Sequence, residues 1–540
     1  MNQNKRTYVK NILFPCLLVS SVAGIFTGVI IFLFKLCATE VIHLSEFLYH
    51  AVRQTPALLP LLIIGAALIG LLATLILKYE PSARGGGIPS AIAILRDLIS
   101  FHWLKNIIAV FASAMLTYLG GVPLGTEGPS VQMGTAAGRG VSRLFCKNSS
   151  AWDRYVMTGS ACAGFSCATG APITGIFFAF EEAHRRFSLP LFLAVASSVV
   201  AGYATTNLLC NIADLPIRIF DYTIDRALPL HHIWVAIAIG VISGIAAILF
   251  TKLYELIGKY ISNHLSKLSL YIRIPTVFAL TALIGFASAQ LIGTGHGLIE
   301  TLLEGNGLWY MFLICLAVRA ILLIVANSNG ISGGLFIPTL AFGALIGAFC
   351  ANLFIGLGLI GREHYVIMLS IGMATYLAAS SRTPLMAIAF AAEALGCITN
   401  LLPVITGVNF ACLIIEAAHV ACFTDTVIET RVKQERAGKT ATVIDEHVTV
   451  AEGAFVIEKE IHDILWPPTC TILSVSKAQV YSAYDDGGLQ PGDVLHLHYI
   501  TYDPDKTHAQ LEALVGKQKN KTDPTARIHV ADENHQVPQL

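Results

Sequence analysis

The stretch that decides the fold is residues 119–134, LGGVPLGTEGPSVQMG. It places one acidic residue, Glu127, among glycines, and Pro129 follows it. Glycine and proline end one helix and open the next, so the stretch predicts a broken helix whose new N-terminus lies beside a carboxylate. The rest of the chain decides whether that carboxylate stands in water or inside a membrane.

The composition indicates a membrane protein. Of 540 residues, 55% are hydrophobic and only 13% are charged, whereas a soluble domain carries about 25% charged residues. Apolar runs of about 18 residues or more can cross the hydrocarbon core, and they lie at 11–36, 55–78, 190–208, 232–255, 308–326, 335–352 and 401–415. We therefore predict an all-α polytopic membrane protein. The basic residues Lys5, Arg6 and Lys10 before the first run predict a cytoplasmic N-terminus.

Several classes of function are disfavoured. The formal net charge is zero, so no nucleic-acid partner is expected. The twelve cysteines are scattered without CxxC spacing, which gives no metal site. No HExxH motif or phosphate-binding loop occurs, so neither a cofactor nor an enzymatic activity is predicted.

The membrane part contains an internal repeat. GAPITGIFFAFEE at 170–182 matches RTPLMAIAFAAEA at 382–394 at an offset of 212, and EGPSVQMGTAAG at 127–138 matches FIPTLAFGALIG at 336–347 at 209. GGGI at 85–88 is matched with GHGL at 295–298 at 210. These anchors predict two related halves, roughly 20–208 and 232–422. Such repeats are typical of secondary transporters, whose sites lie between the halves.

Short hydrophobic segments that open at glycine or proline predict discontinuous helices. They are 86–99, 128–143, 172–185 and 335–351. Free N–H groups inside a membrane are costly against lipid, but a buried anion can accept from them and be stabilised by the helix dipoles. A site made of amides and dipoles suits a permeant monovalent anion.

The acidic residues differ between the halves. Glu181 is matched by Glu393, and we interpret this pair as structural carboxylates satisfied at helix ends. Glu127 is matched by Phe336 and Glu182 by Ala394, so these two carboxylates occur once. Carboxylates at membrane depth are functional candidates. An ionised Glu127 competes with the anion for the pocket, and a protonated one leaves it, which links anion movement to proton movement in the opposite direction. The alternatives are a helix-capping role for Glu127 and a solvated helix end for Glu182.

The motifs GGGIP (85–89), GTEGP (125–129), GGLFIP (333–338) and the EE at 181–182 resemble, in this order and spacing, the CLC family of chloride channels and chloride/proton antiporters. The resemblance implies an inverted repeat over 1–436 and a homodimer with one ion path per subunit. It implies Glu127 as the external gating and proton site and Glu182 as the internal proton relay. The implied anion-binding residues are Gly86, Gly87, Ile88, Gly128, Leu335, Phe336 and Phe423.

Three departures from the family pattern leave the preferred anion open. The family's usual serine is Gly86, its usual tyrosine at the last membrane helix is Phe423, and the usual basic residue before the gating glutamate is Thr126. Two hydroxyl donors are therefore missing. The methionine typical of the fluoride branch at the serine position is also absent.

After residue 430 the chain becomes polar. Alternating patterns in TCTILSV and GDVLHLHYI predict strands, and DPDKTHAQLEALVG predicts a capped helix. PPTCTILSV and LQPGDVLHLHYI resemble the TrkA-C (RCK-C) domain of bacterial potassium regulators. This implies a small α/β cytoplasmic regulatory domain at 437–518 with an unknown small ligand, and a bacterial inner-membrane protein with cytoplasmic termini. The polar residues 519–540 predict a disordered tail.

Three other functions remain as alternatives. A passive voltage- or pH-gated chloride channel has the same fold, although the family's channels usually have an apolar residue where Glu182 stands. A cation transporter is suggested by the regulator-like tail, but no TVGYG-like filter is present. An intramembrane serine protease is suggested by GISG at 330–333, with Ser332 and His419 as a dyad.

Overall fold

A computed structural model describes residues 14–145, 150–220, 222, 224, 226–265, 267–305, 307–436, 440–478, 488–517 and 527–530. The basic residues before the first apolar run lie outside these ranges. The membrane part is all-helical, and its seventeen α-helices in the described residues are α1 Phe14–Gln54, α2 Leu59–Tyr79, α3 Ile88–Leu95, α4 Trp103–Leu119, α5 Glu127–Phe145, α6 Asp153–Thr169, α7 Pro172–Phe178, α8 Leu189–Ile212, α9 Ile233–Tyr260, α10 Leu270–Ala287, α11 His296–Leu303, α12 Trp309–Ser328, α13 Phe336–Gly356, α14 Tyr365–Ser381, α15 Pro384–Glu393, α16 Leu401–Ala417 and α17 Phe423–Arg436.

Eight of the described helical segments are apolar and long enough to cross a membrane. Seven coincide with apolar runs recognised in the sequence. The eighth, Leu270–Ala287, was missed because Arg273 and Pro275 interrupt its apolar pattern. The first span continues to Gln54, well past the apolar run that ends at 36.

The two predicted halves reappear as two series of eight helices in the same order, α1–α8 and α9–α16. Helices α3 and α11 have 8 residues each, and α6 and α14 have 17 each. Glycines make equivalent close contacts: a Cβ on Gly134 would lie 2.4 Å from the Ser160 carbonyl, and a Cβ on Gly343 would lie 2.4 Å from the Gly372 carbonyl. Small residues let the backbones of α5 and α6, and of α13 and α14, approach in this way.

The halves are related by a pseudo-two-fold axis, as reciprocal contacts between equivalent positions show. Gly125 and Gly334 exchange two backbone hydrogen bonds of 2.7 Å in an antiparallel bridge. The N-cap Gly87 of α3 corresponds to the N-cap Gly295 of α11, which is an offset of 208. The sequence match of 85–88 with 295–298 is therefore shifted by two residues.

The carboxylates Glu181 and Glu393 form a second reciprocal contact. Glu181 accepts hydrogen bonds from the N–H groups of Leu385 and Met386 in the first turn of α15. Glu393 accepts from Ile173 and Thr174 in the first turn of α7. Each half thus caps a broken helix of the other, and the interpretation of this pair as structural carboxylates is confirmed.

The soluble part contains β1 Thr442–Thr449, β2 Thr471–Ser476, β3 Val494–Thr501, α18 Pro504–Val515 and β4 Arg527–Val530. The sheet has the order β2-β3-β1-β4 and is antiparallel. Asp503 caps α18 by accepting from the Lys506 N–H, and Gly516 ends it with φ +86°. Four residues of the range 519–540, predicted to be disordered, form β4 because the edge of β1 is open to them. The others lie outside the described residues.

The soluble part packs against the membrane part. Arg154, in the first turn of α6, donates to the carbonyls of Leu465 and Trp466 and also to that of Leu95 at the end of α3. Lys506 of α18 forms an ion pair of 2.8 Å with Asp97. The soluble part therefore contacts the C-terminal end of α3, the helix whose N-terminus lies at Gly87.

Candidate ion path

Three helix N-termini converge on one point. A Cβ on Gly87 would lie 2.2 Å from the Gly128 carbonyl carbon, and a Cβ on Gly128 would lie 2.6 Å from the Gly334 Cα. The starts of α3, α5 and α13 are therefore in backbone contact. Only glycine permits this approach at Gly87, whose φ is +68°. The first N–H groups of each helix have no partner within the helix, so positive partial charge gathers here.

The structure brings six of the seven predicted anion-binding residues to this point. Gly86, Gly87 and Ile88 open α3, Gly128 lies in the first turn of α5, and Leu335 and Phe336 open α13. All of these side chains or backbone positions are buried. Phe423, at the start of α17, reaches the same region through ring contacts with Tyr254 at 5.1 Å and with Phe250 at 5.0 Å between centroids.

Glu127 is the first residue of α5 and is fully buried. Its Oε1 accepts a hydrogen bond of 2.7 Å from the Thr126 hydroxyl, while Oε2 has no hydrogen-bond partner. A Cβ on Gly125 would lie 2.8 Å from Oε2 and 3.2 Å from Ile337 Cβ, and the Ile337 amide of α13 lies near the carboxylate. The Glu127 N–H, at the start of α5, also lies near this carboxylate, so amides of both α5 and α13 face it.

A cavity of about 530 Å³ leads to Glu127 from one side. Lys35, Arg218 and His296 line it, together with Glu46 and Glu300. The Lys35 ammonium donates to the Ile217 carbonyl at 3.0 Å. The family's usual basic residue before the gating glutamate is Thr126 here. Lys35 from α1 supplies a cation to the cavity instead, and sequence reasoning missed it. A basic residue inside the apolar run 11–36 was the available signal.

Glu182 lies in a π-helical extension of α7, Ala179–Ala183, and is 5% exposed. Its Oε1 accepts from the Thr424 hydroxyl at 3.1 Å. Arg96 donates to the backbone carbonyls of Glu182 and Ala183. Glu182 is therefore buried beside Phe423, the neighbour of Thr424, and it is not the solvated helix end that was the alternative.

Arg319 is a further charged residue that sequence reasoning missed. It is completely buried in α12 and donates to the carbonyls of Gln290, Ile292 and Gly293. These hydrogen bonds fix the loop that precedes α11. A lone arginine inside the apolar run 308–326 was the signal that could have identified it.

The protease dyad does not form. Ser332 is 1% exposed and its carbonyl accepts from the Thr117 hydroxyl. His419 is exposed beyond the end of α16, and these two described residues share no hydrogen bond. Nor does any group of His, Cys, Asp and Glu in the described ranges have the arrangement of a metal site.

Helices that break inside the membrane and point their N-termini at one buried carboxylate define a class of ion-transport proteins. The chain belongs to the CLC family: the family model described as Voltage gated chloride channel matches residues 65–416. Members of this family are transporters or channels rather than enzymes.

Solved structures show the same fold. A slow cyanobacterial Cl⁻/H⁺ antiporter superposes with a TM-score of 0.72 at 20% identity, covering 78% of this chain and 98% of that one. A eukaryotic CLC transporter gives 0.63 at 19% identity, covering 77% and 74%. A CLC-type fluoride/proton antiporter gives 0.61 at 21% identity, covering 75% and 96%.

Proposed function

We propose that this protein exchanges a monovalent anion, chloride in the first place, for protons across the membrane. The observation that carries the proposal is Glu127, a buried carboxylate with one unpartnered oxygen at the meeting point of three helix N-termini. Ionised, it takes the place that an anion would occupy among the same donors. Protonated, it no longer has the charge that holds it there, and the anion replaces it.

Glu182 is the proposed relay on the other side of the path. It is buried, and its carboxylate contacts Thr424 next to Phe423. A proton held by Glu182 is separated from bulk water yet close to the start of α17. The similarity to structures of a Cl⁻/H⁺ and a fluoride/proton antiporter supports the same function.

The test is simultaneous measurement of anion and proton flux in proteoliposomes. A chloride gradient should drive proton movement in the opposite direction with the natural chain. Glu127→Ala should abolish proton movement and keep anion flux, and Glu182→Gln should also remove proton coupling. Proton movement that persists in Glu127→Ala would refute the role of that residue. Anion flux with no proton movement in the natural chain would favour the passive chloride channel instead.

The proposal includes a homodimer. Glu181 and Glu393 are only partly buried, and they lie beside the exposed side chains of Ile173 and Leu385. Carboxylates on an apolar outer surface are costly in contact with lipid. A second subunit packed on α7 and α15 would cover them. Cross-linking in membranes between cysteines introduced at Ile173 or Leu385 is the measurement that checks this.

The soluble part at 437–518 is proposed to be a cytoplasmic regulatory domain of the TrkA-C type that binds a small ligand, in a bacterial inner membrane. Its antiparallel sheet with one helix and its contacts with Arg154 and Asp97 support this role. Ligand-induced thermal stabilisation of the full chain, with a change in flux, would identify the ligand. A cation-transport function receives no support from the anion-directed N-termini.

A further inference from the structure

The side-chain amide of Asn327 is buried with an unused donor. Asn327 is the residue before the end of α12 and is 6% exposed. Its Oδ1 accepts a hydrogen bond of 2.8 Å from the Tyr254 hydroxyl, while Nδ2 has no partner. A buried N–H group without an acceptor is uncommon because it loses its water without compensation. The donor therefore indicates a ligand.

The free donor faces the start of α3. A Cβ on Gly86 would lie 3.0 Å from Asn327 Nδ2 and 2.8 Å from Leu335 Cδ1. Gly86 is the position of the family's serine, so the Asn327 amide takes the space that the serine side chain would fill. Tyr254 packs edge-on against Phe423, with ring planes at 85°, at the position of the family's tyrosine. The hydrogen-bonded pair of Asn327 and Tyr254 therefore lies where the serine and tyrosine hydroxyls of the family are missing.

The surroundings select an anion. Asn327 and Gly86 line a cavity of about 230 Å³ that also includes Arg84, Arg273 and Arg431. The three guanidinium groups donate to neutral oxygens, those of Leu77, Asn329 and Pro81. Glu435 interacts electrostatically with Arg84 and Arg431 and offsets part of their charge. The remaining positive charge and the amide donor suit a single negative charge.

The internal repeat shows that the free donor of Asn327 is not a feature shared by both halves. At the offset of 209, Asn327 corresponds to Tyr118, the residue before the end of α4. The Tyr118 hydroxyl donates to the Gly125 carbonyl at 2.9 Å. The equivalent position in the first half is therefore satisfied by the protein itself, and only the second half leaves its donor open toward the ion path.

We propose that Asn327 binds the transported anion through Nδ2, on the side of the three arginines, and that Tyr254 is a positioning residue that fixes the amide through Oδ1. The inference rests on the proposed anion exchange and adds the residues that replace the missing serine and tyrosine hydroxyls. The occupant is a small monovalent anion that accepts N–H hydrogen bonds, such as chloride or bromide.

The first test is chloride binding to the purified full chain by calorimetry, with flux in proteoliposomes alongside. Asn327→Asp keeps the shape but turns the donor into an acceptor, and it should weaken chloride binding at least tenfold. Asn352→Asp is the control outside the cavity. Asn352 does not line the cavity, and its Nδ2 already donates to the Ala348 carbonyl, so chloride affinity should change less than about twofold to threefold. An equal loss in both variants would reduce the effect to general electrostatics and overturn the proposal.

A rescue experiment covers the case in which Asn327→Asp does not fold. Asn327→Ala should weaken chloride binding about tenfold, and adding Gly86→Ser in the space it vacates should restore most of that loss. Gly86→Ser alone is crowded by Asn327 and Leu335 and should not improve binding. Tyr254→Phe keeps the ring contact with Phe423 and should weaken binding about threefold to tenfold.

The outcomes distinguish failure of the assignment of Asn327 from failure of the proposed anion exchange. If the natural chain binds chloride and couples it to protons but Asn327→Asp binds chloride normally, the assignment of Asn327 is overturned and the proposed function stands. If the natural chain neither binds nor moves chloride, bromide or nitrate, the proposed function fails and this inference fails with it.

Discussion

Replacing Glu181 with glutamine should destabilise the protein and leave proton coupling intact, whereas the same change at the adjacent Glu182 should do the reverse. The two carboxylates have different partners. Glu181 holds the backbone N–H groups of Leu385 and Met386 at 2.9 and 2.6 Å. Glu182 accepts the Thr424 hydroxyl at 3.1 Å.

The size of the effect follows from these partners. Glu181→Gln removes the charge at the N-terminus of α15 and turns one acceptor into an NH₂ group that faces an N–H. Losing one hydrogen bond to a charged group costs about 1.5–3 kcal/mol, and losing the interaction with the helix dipole costs about 0.3–1 kcal/mol. We expect a loss of about 2–4 kcal/mol. Glu182→Gln keeps an acceptor for Thr424, so its free energy of unfolding should change by less than about 1 kcal/mol.

The assay pairs reversible denaturant unfolding in detergent, at one protein concentration, with flux measurement. A loss of about 2 kcal/mol corresponds to roughly a 30-fold shift in the unfolding equilibrium. Glu393→Gln, which disturbs the equivalent bonds to Ile173 and Thr174, is the positive control. Loss of proton coupling in Glu181→Gln at unchanged stability, or intact coupling in Glu182→Gln, would refute this division of roles.

Three further expectations concern the helix contacts and the soluble part. Gly87→Ala should abolish folding or anion binding, because its Cβ would meet the Gly128 backbone at 2.2 Å and no flexible side chain can yield; near-natural flux would contradict this. Arg154→Ala should increase proteolysis of the segment around Leu465, since three carbonyls lose their donor, and an unchanged cleavage rate would contradict it. Lys459 is 1% exposed, with its ammonium 3.0 Å from the centre of the Phe455 ring; burial lowers its pKa from 10.5 to about 7. Between pH 7 and 10.5 the unfolded chain then binds one more proton than the folded chain. The free energy of unfolding should therefore rise by about 2 kcal/mol from pH 7 to pH 9, and hydrogen exchange of residues 455–466 would detect the rise. Lys459→Met should remove this pH dependence of stability.

The helix openings could be predicted from the sequence because glycine, proline and charged residues stand out in an apolar membrane chain. Glycines around Glu127 and the unequal carboxylates of the two halves identified the helix openings and the gating candidate. The structural role of Glu181 and Glu393 was predicted from their being retained in both halves, whereas their reciprocal contacts were not. These conclusions rest on residue type and spacing, which the membrane constrains strongly.

Other features depend on contacts between distant residues. Asn327 in the sequence NSNG looks like an ordinary helix end, and only the approach of Gly86 and Tyr254 shows that its donor is unused. The π-helical turn that carries Glu182 follows α7, which has only seven residues. So short a helix shows no hydrophobic periodicity from which the turn could be predicted. Helix α10 was missed because Arg273, which binds Asn329, breaks its apolar pattern.

The mutual capping of α7 and α15 makes the two halves depend on each other. A single half, standing by itself, would have one uncapped broken helix and one carboxylate without donors. Two identical halves related by a two-fold axis would supply each other's missing group, as the bonds of Glu181 and Glu393 do here. The contact plan is that of a two-fold pair of identical chains, in which neither member is complete without the other.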